Sequence, residues 1–119
     1  MQRDCTVYKS VDLISKRWTL LILLELYRGN TKKKRYSEVK KKIPGITPKI
    51  LSVRLKELTK NGLLNKQIDA NSIPIKSEYS LTKKGTEFIE IIKSIKTWAL
   101  KNNIENEVCQ KMNCKECNL

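Results

Sequence analysis

Apolar residues recur along the first half of this chain with the spacing of helices, and further on with that of strands. Between Thr6 and Ile14 they share one face, which predicts a short helix. From Arg17 to Arg28 they are nearly continuous, which predicts a buried helix ending at Gly29-Asn30. A third helix is expected to begin at a Ser37 cap and to end before the Pro44-Gly45 pair. Its inward positions are Tyr36, Val39 and Ile43.

The segment GITPKILSVRLKELTKNGLL, from Gly45 to Leu64, predicts a fourth helix with two different faces. Thr47 is a good N-cap, Pro48 suits the first helical position because it lacks an N–H group, and Gly62 ends the helix. One face is a leucine stripe that packs inward, and the opposite face is polar and basic. The stripe is Leu51, Leu55 and Leu58, and the outer positions are Lys49, Ser52, Val53, Lys56 and Lys60.

Downstream, the period of the apolar pattern changes from that of a helix to that of a strand. Two short runs, Leu64–Ile68 and Lys76–Leu81, flank the turn-rich DANSIP sequence and predict a β-hairpin. Thr82 then caps a last long helix that runs to about Asn102. We expect one domain over residues 1–103 and a polar, cysteine-containing tail over residues 104–119. The apolar stripe of the last helix is Phe88, Ile92, Ile95 and Ala99, with Ile91 and Trp98 beside it.

The charge of the chain is high and uneven. It has 25 Lys and Arg against 12 Asp and Glu, a net charge of +13. The segment from Lys32 to Lys66 holds twelve basic residues and two acids. A lysine-rich chain can simply be a soluble or thermophilic protein. Clustering of the charge favours a polyanionic partner, with nucleic acid foremost.

Several function classes are disfavoured by what the sequence lacks. It contains no histidine, which excludes Ser-His-Asp and Cys-His catalysis, and its four glycines form no phosphate-binding loop. We therefore expect a protein that is not an enzyme. The longest apolar run, from Trp18 to Tyr27, is too short to span a bilayer, and no export signal is recognisable, so we expect a cytoplasmic protein without membrane association.

The order of the elements predicts a mainly α fold with a small β-hairpin, namely a winged helix-turn-helix with a C-terminal dimerisation helix. In that architecture the second helix of the motif enters the DNA major groove, and the hairpin touches the neighbouring backbone or minor groove. A lysine face opposite a leucine stripe is also the ordinary hydrated side of a surface helix. The candidate contacts to double-stranded DNA are Lys49, Ser52, Val53, Arg54, Lys56 and Lys60 on the helix and Asn71, Ser72 and Lys76 on the hairpin.

Three stretches resemble signatures of the HxlR-type winged-helix transcriptional regulators. They are CTVYKSVDLISKRWTLLILLEL, RYSEVKKKIPGITPKILSVRLKELTKNGLL and IPIKSEYSLTKKG, so the resemblance covers roughly Cys5 to Lys101. The chain departs from the family at Ser15-Lys16-Arg17-Trp18, where a Gly-Gly-Lys-Trp-like sequence is usual. The resemblance implies a homodimeric regulator that binds a pseudo-palindromic site.

The last helix supports a homodimer independently, because its apolar face is wider than a small core requires. The alternative is that this face only covers the domain. The candidate dimerisation residues are Phe88, Ile91, Ile92, Ile95 and Trp98.

Four cysteines admit three interpretations. Cys109, Cys114 and Cys117 have the spacing C-x4-C-x2-C, which with Cys5 is compatible with an iron–sulfur cluster or a zinc site. They are equally compatible with a thiolate pair poised for oxidation, or with a disordered tail of reduced thiols. No cofactor is assigned by the sequence alone. Several members of the resembled family sense oxidants or electrophiles through an N-terminal cysteine at the position of Cys5, and this resemblance favours a redox role for that residue over a metal-binding one.

These observations lead to one main interpretation and two alternatives. The main one is a homodimeric, sequence-specific DNA-binding transcriptional regulator, a repressor by occlusion, with a redox response through its cysteines. The first alternative is a cysteine-based redox or metal-cluster protein whose basic face is incidental. The second is a winged helix that binds nucleic acid without sequence specificity.

Overall fold

Helices and strands follow one another in the order expected for a winged helix in the computed structural model, which describes residues 1–104 and 106–117. Glu105, Asn118 and Leu119, part of the predicted tail, lie outside the described residues. The elements are α1 (Thr6–Ile14), α2 (Thr19–Tyr27), β1 (Lys34–Arg35), α3 (Tyr36–Lys42), α4 (Pro48–Lys60), β2 (Leu64–Asp69), β3 (Lys76–Leu81), α5 (Lys83–Lys101), α6 (Glu107–Lys111) and a 3₁₀ turn (Cys114–Glu116).

The core is organised around α2, whose apolar side chains point in all directions. Ile22 and Leu23 are completely buried, and α3, α4 and α5 pack around them. Each surrounding helix contributes only one stripe, as the spacing of their apolar residues predicts. The three leucines of α4 are all buried, which confirms their predicted inward position. The predicted winged helix-turn-helix fold is confirmed.

The sheet has three antiparallel strands in the order β1-β3-β2 rather than the two predicted. β2 and β3 form the predicted hairpin, with Leu64 opposite Leu81 and Asp69 opposite Lys76. β1 was not predicted because two residues are too short to show alternation. Its Lys34 is buried, and the ammonium group donates hydrogen bonds to the carbonyl oxygens of Glu25 and Arg28 at the end of α2.

Two helix starts differ from the sequence-based expectation. α2 begins at Thr19, since Trp18 adopts a left-handed conformation with φ +82° and breaks the helical path from Arg17. The predicted Ser37 cap of α3 is wrong: the helix begins at Tyr36, and Arg35 is its N-cap. Because Arg35 is also the last residue of β1, the chain passes from strand to helix with no loop between them.

The C-terminal segment, residues 106–117, packs against α2 and α5. The Gly29 N–H donates to the Lys115 carbonyl oxygen at 2.8 Å, and the Arg28 Nη2 donates to the Cys117 carbonyl oxygen at 2.7 Å. The Lys115 ammonium lies 4.8 Å from the centre of the Tyr27 ring. These contacts differ from the disordered tail that the sequence left open. No helix in residues 1–104 and 106–117 has the length and apolar character needed to cross a membrane.

Candidate nucleic-acid interface

α4 is held by capping at both ends. The Thr47 Oγ1 accepts a hydrogen bond from the Ile50 N–H at 3.2 Å, and Pro48 occupies the first turn, as predicted. At the other end Gly62 adopts φ +79°, and the Leu63 N–H donates to the Leu58 carbonyl oxygen at 2.9 Å. These local contacts fix where α4 begins and where it ends.

The turn before α4 is packed against the turn before α2. Gly45 adopts φ +85°, and a Cβ at this position would lie 3.5 Å from the Trp18 ring. The indole therefore covers the Pro44-Gly45 turn and ties the helix-turn-helix to the start of α2.

The outer face of α4 is exposed and cationic. We call Lys49, Ser52, Val53, Lys56 and Lys60 the basic face; all five are exposed. Within the part of the chain that the structure describes, none of these three lysines forms a salt bridge. Their charge is therefore compensated only by solvent and by ions, and it is available to an anionic partner.

Tyr36 joins the basic face at the N-terminal end of α4. Its hydroxyl donates to the Pro48 carbonyl oxygen at 2.8 Å and accepts from the Ser52 Oγ at 3.4 Å. The sequence placed Tyr36 on the inner side of α3, and its ring is half-buried, but its hydroxyl reaches the surface beside Ser52. The apolar pattern reports where the ring lies and carries no information about the hydroxyl, so this residue was missed.

A continuous groove separates α4 from the hairpin. One part, of about 470 Å³, lies between Tyr36 and Ser52 on one side and Ile75 and Lys76 on the other. The next part, of about 600 Å³, is lined mainly by lysine stems and hydroxyl groups along α4 and β2. Its lining residues are Ser52, Lys56, Thr59, Lys60, Lys66 and Tyr79.

Arg54 lies at the side of α4, away from the basic face. Its Nε donates to the Arg17 carbonyl oxygen at 3.0 Å, and its Nη1 lies 3.3 Å from the Glu57 Oε1. Glu57 also pairs with Lys16 at 3.3 Å. These contacts tie α4 to the turn between α1 and α2 and hold the Arg54 guanidinium at the side of the helix, and its contact with DNA stays a prediction.

The tip of the hairpin is ordered by a single carboxylate. Asp69 accepts hydrogen bonds from the Asn71 N–H at 3.2 Å and from the Ser72 Oγ at 2.6 Å. The hydrogen bond from Ser72 holds the pKa of Asp69 below its usual value, with the Asn71 N–H contributing in the same direction. The Ser72 hydroxyl is therefore occupied, whereas the Asn71 side chain is exposed and Lys76 is half-buried beside the groove.

The predicted dimerisation residues of α5 fall into an exposed group and a group that packs against the core. Ile91, Ile95 and Trp98 are exposed, with Trp98 at 62%, and we call them the apolar face. Ile92 differs from the expectation, because it is only 8% exposed and packs into the core of its own chain together with Ile89. Phe88 is half-buried against the same core. A helical wheel alone does not tell which edge of a wide stripe meets α2.

The cysteines lie in two places. Cys5 is the N-cap residue of α1, and Cys109, Cys114 and Cys117 lie on the docked C-terminal segment; all four are half-buried. Among the described residues, no group of three or more Cys, Asp or Glu side chains is placed to hold a metal ion. The structure thus gives no support to the zinc or iron–sulfur site that the cysteine spacing had suggested.

Residues 13–107 of the chain match a family model described as HxlR-like helix-turn-helix. The chain belongs to the HxlR-like helix-turn-helix family. It is 38% identical over 91 residues to the uncharacterized HTH-type transcriptional regulator YvaP of Bacillus subtilis (strain 168), a match that covers 76% of this chain and 81% of YvaP. The relatives are transcriptional regulators, a class of proteins that are not enzymes, and this chain is a transcriptional regulator of the helix-turn-helix type.

Solved structures of two regulators share the same fold. The reduced form of the transcriptional regulator YodB from B. subtilis has a TM-score of 0.69 and 35% identity, and the match covers 85% of this chain and 94% of YodB. The redox regulator HypR in its oxidized form has a TM-score of 0.71 and 30% identity, covering 83% of this chain and 98% of HypR.

Proposed function

We propose that this protein binds double-stranded DNA sequence-specifically as a homodimer in the cytoplasm, and that it represses transcription by occluding the bound site. The observation that carries the proposal is the basic face of α4, whose three lysines are exposed and form no salt bridge among the described residues. Ser52 and Val53 lie between these lysines. Lysines suit phosphate oxygens, and short side chains between them suit base edges.

The homodimer is supported by apolar surface that stays exposed on two helices of the described chain. α1 has nine residues and none of them is buried; Leu13 packs against the core, but Val7 and Val11 are large, apolar and exposed. A helix of this length is marginal in water, so further cover of this surface would stabilise it. The apolar face of α5 is exposed as well. We propose that α1 and the apolar face of α5 cover each other across a two-fold axis, with Ile91, Ile95 and Trp98 as the central contacts.

The test is selection of duplexes of about 40 base pairs from a randomised pool, long enough for two half-sites one helical turn apart. The enriched sequence should be pseudo-palindromic and bind about 10³–10⁷-fold more tightly than a scrambled duplex. When this sequence overlaps a promoter, the bound protein should also lower transcription in vitro. A specificity ratio near one would overturn the proposal and favour a winged helix that binds nucleic acid without sequence specificity.

A redox response is a second candidate function, and two observations favour it. Cys5 lies on α1, which we place in the dimer interface, and Cys109 and Cys114 lie on a segment docked against α5 and α2. Among similar structures are a redox regulator, HypR, and a diamide-treated form of YodB. Oxidation would join Cys5 of one protomer to a C-terminal cysteine of the other, two thiols giving one disulfide while diamide is reduced to its hydrazine.

The redox candidate is tested on a non-reducing gel beside a DNA-binding assay, with and without diamide. A crosslinked dimer with weakened DNA affinity, absent in Cys5→Ser, supports it. If DNA affinity is the same with and without the oxidant, the redox response is excluded while the DNA-binding proposal stands.

A further inference from the structure

The hairpin carries a cluster of isoleucines that the domain does not use. Ile73, at the tip, is 100% exposed, and Ile68 and Ile75 on either side of the turn are also exposed. Single exposed apolar residues are ordinary, but three on one short hairpin form a local apolar surface. None of them belongs to the core.

The register of the hairpin shows which way this surface faces. Leu64, Lys66 and Ile68 alternate onto one side of β2, opposite Leu81, Tyr79 and Ser77 of β3. At the root of the hairpin this side is buried against the domain, since Leu64 and Tyr79 are buried. Towards the tip the same side opens into the groove beside α4, where Ile75 lies across from Ser52. Ile68 and Ile75 therefore continue the surface that faces the basic face of α4, and Ile73 lies beyond them at the tip.

The groove between α4 and the hairpin is bordered by lysines, whose ammonium groups suit a DNA backbone. Its cations come from both walls, with Lys56 and Lys60 from α4 and Lys66 from β2. When α4 lies in a major groove, the strand that borders that groove passes between α4 and the hairpin. The next groove across that strand is the minor groove, so the tip of the hairpin lies over it.

The turn at the tip is closed by the hydrogen bonds that Asp69 accepts from the Asn71 N–H and the Ser72 hydroxyl. The chain thus presents Ile73 beside a hydrogen-bonded turn at the outer end of a cationic groove. An isoleucine in this setting suits partial insertion between two stacked base pairs from the minor-groove side, which unstacks them and kinks the duplex.

We propose that Ile73 is an apolar wedge that inserts into the minor groove at each flank of the bound site and bends the DNA, with Ile68 and Ile75 covering the displaced sugars. This inference rests on the proposed DNA-binding function and goes beyond it, because it assigns a deformation of the DNA to a residue with no polar group. Flexible pyrimidine–purine steps cost least to kink, so the flanks of a preferred site should contain TA or CA/TG steps at a fixed distance from its centre.

The test uses the full chain and the enriched duplex labelled at both ends for energy transfer. Bound wild-type protein should bend the duplex by an angle within about 20–90°. Ile73→Ser should abolish this bend, and Ile73→Leu, which keeps an apolar side chain of the same volume, should retain it. 2-Aminopurine placed at the flanking step should brighten on binding of the wild type and of Ile73→Leu but not of Ile73→Ser. Because Ile73 is fully exposed, its variants should fold with unchanged thermal midpoints.

A second selection sharpens the result. With Ile73→Ser, the enriched sites should keep the same central bases and no longer favour flexible steps at the flanks. If wild type and Ile73→Ser bind the duplex with equal bends and equal 2-aminopurine signals, the wedge is overturned while DNA binding stands. Failure of the wild type to bind any duplex would instead overturn the proposed function itself. A change of oligomeric state in Ile73→Ser would assign the isoleucines to a protein contact and reject the wedge.

Discussion

α4 and α5 are built alike on their inner sides and differ on their outer sides. Both begin at a threonine N-cap, Thr47 and Thr82, and both bury one apolar stripe against α2 and the sheet. The outer side of α4 carries lysines that form no salt bridge in the described chain, whereas the outer side of α5 carries Ile91, Ile95 and Trp98.

The difference shows that the outer face of a helix determines the partner, while the inner face determines only the fold. Exposed lysines are well hydrated, so the basic face is stable in water without any partner. Exposed isoleucine and tryptophan side chains gain free energy when they are covered. We therefore expect α5 to be permanently covered by a second protomer and α4 to bind reversibly to a polyanion.

The largest expected effect comes from placing a charge on the apolar face of α5. Ile95→Asp should convert the dimer to a monomer, since each interface would bury two unpaired carboxylates. The affinity for a duplex with two half-sites should fall by about 10²–10⁴-fold, because the linkage between two DNA-binding modules is broken. Analytical ultracentrifugation and a binding titration measure the two effects.

Thr97→Asp is the matched control for this variant. It introduces the same charge at an exposed position of α5 outside the apolar face. A dimer that survives Ile95→Asp would contradict the interface and leave α5 as a cover for its own domain.

The next effect concerns the lysines of α4. Lys49→Ala or Lys56→Ala should weaken binding to every duplex, because each removes a cation that neutralises a DNA phosphate. The slope of the salt dependence should fall by about 0.9 for each phosphate left without its lysine, that is, by about 1.8 in a dimer. Lys101→Ala, which removes an exposed lysine from α5, should leave the slope unchanged. Titrations at several salt concentrations measure it, and unchanged slopes in both α4 variants would reject the basic face as the DNA surface.

A smaller and more selective effect is expected from the short residues between these lysines. Ser52→Ala or Val53→Ala should change the preference at individual base pairs by roughly 1–3 kcal/mol and leave the affinity for random DNA nearly intact. Selection from a randomised pool with each variant reveals the positions affected. Equal losses of affinity on specific and random DNA would mean that these residues serve the structure of α4 and not its selectivity.

The contrast between α4 and α5 also shows what the sequence can reveal. The caps at Thr47 and Thr82 and the end at Gly62 were predictable because each acts within one turn of its own helix. The positions of the Arg54 and Ile92 side chains were not predictable. The first depends on a hydrogen bond to a remote carbonyl oxygen, and the second depends on packing against the α2 side of the core.

The other features that the sequence did not predict have the same physical origin. β1 forms by pairing with the edge of β3 that β2 leaves unpaired. The C-terminal segment is held by hydrogen bonds with Tyr27, Arg28 and Gly29, which are far from it along the chain. Spacing along one element predicts which side of it is apolar. It does not predict which distant group a polar side chain will find.

The smallest expected effect compares the two caps directly. The Thr47 Oγ1 makes one bond, from the Ile50 N–H, whereas the Thr82 Oγ1 accepts from the Gly85 N–H at 3.0 Å and donates to the Gly62 carbonyl oxygen at 2.6 Å. Thr47→Ala should therefore lower the free energy of unfolding by about 1 kcal/mol, and Thr82→Ala by up to about 2 kcal/mol.

Urea unfolding at one fixed protein concentration measures both caps, and Thr97→Ala serves as the control. Among the described residues its hydroxyl bonds to the Lys93 carbonyl oxygen within α5 and to no other group, so replacement by alanine should be neutral or slightly stabilising. Because the Thr82 hydroxyl joins the end of α4 to the start of α5, its removal weakens the connection between the two helices as well as one cap. Equal costs at Thr47 and Thr82 would show that the bond from the Thr82 hydroxyl to the Gly62 carbonyl oxygen adds nothing to the cap.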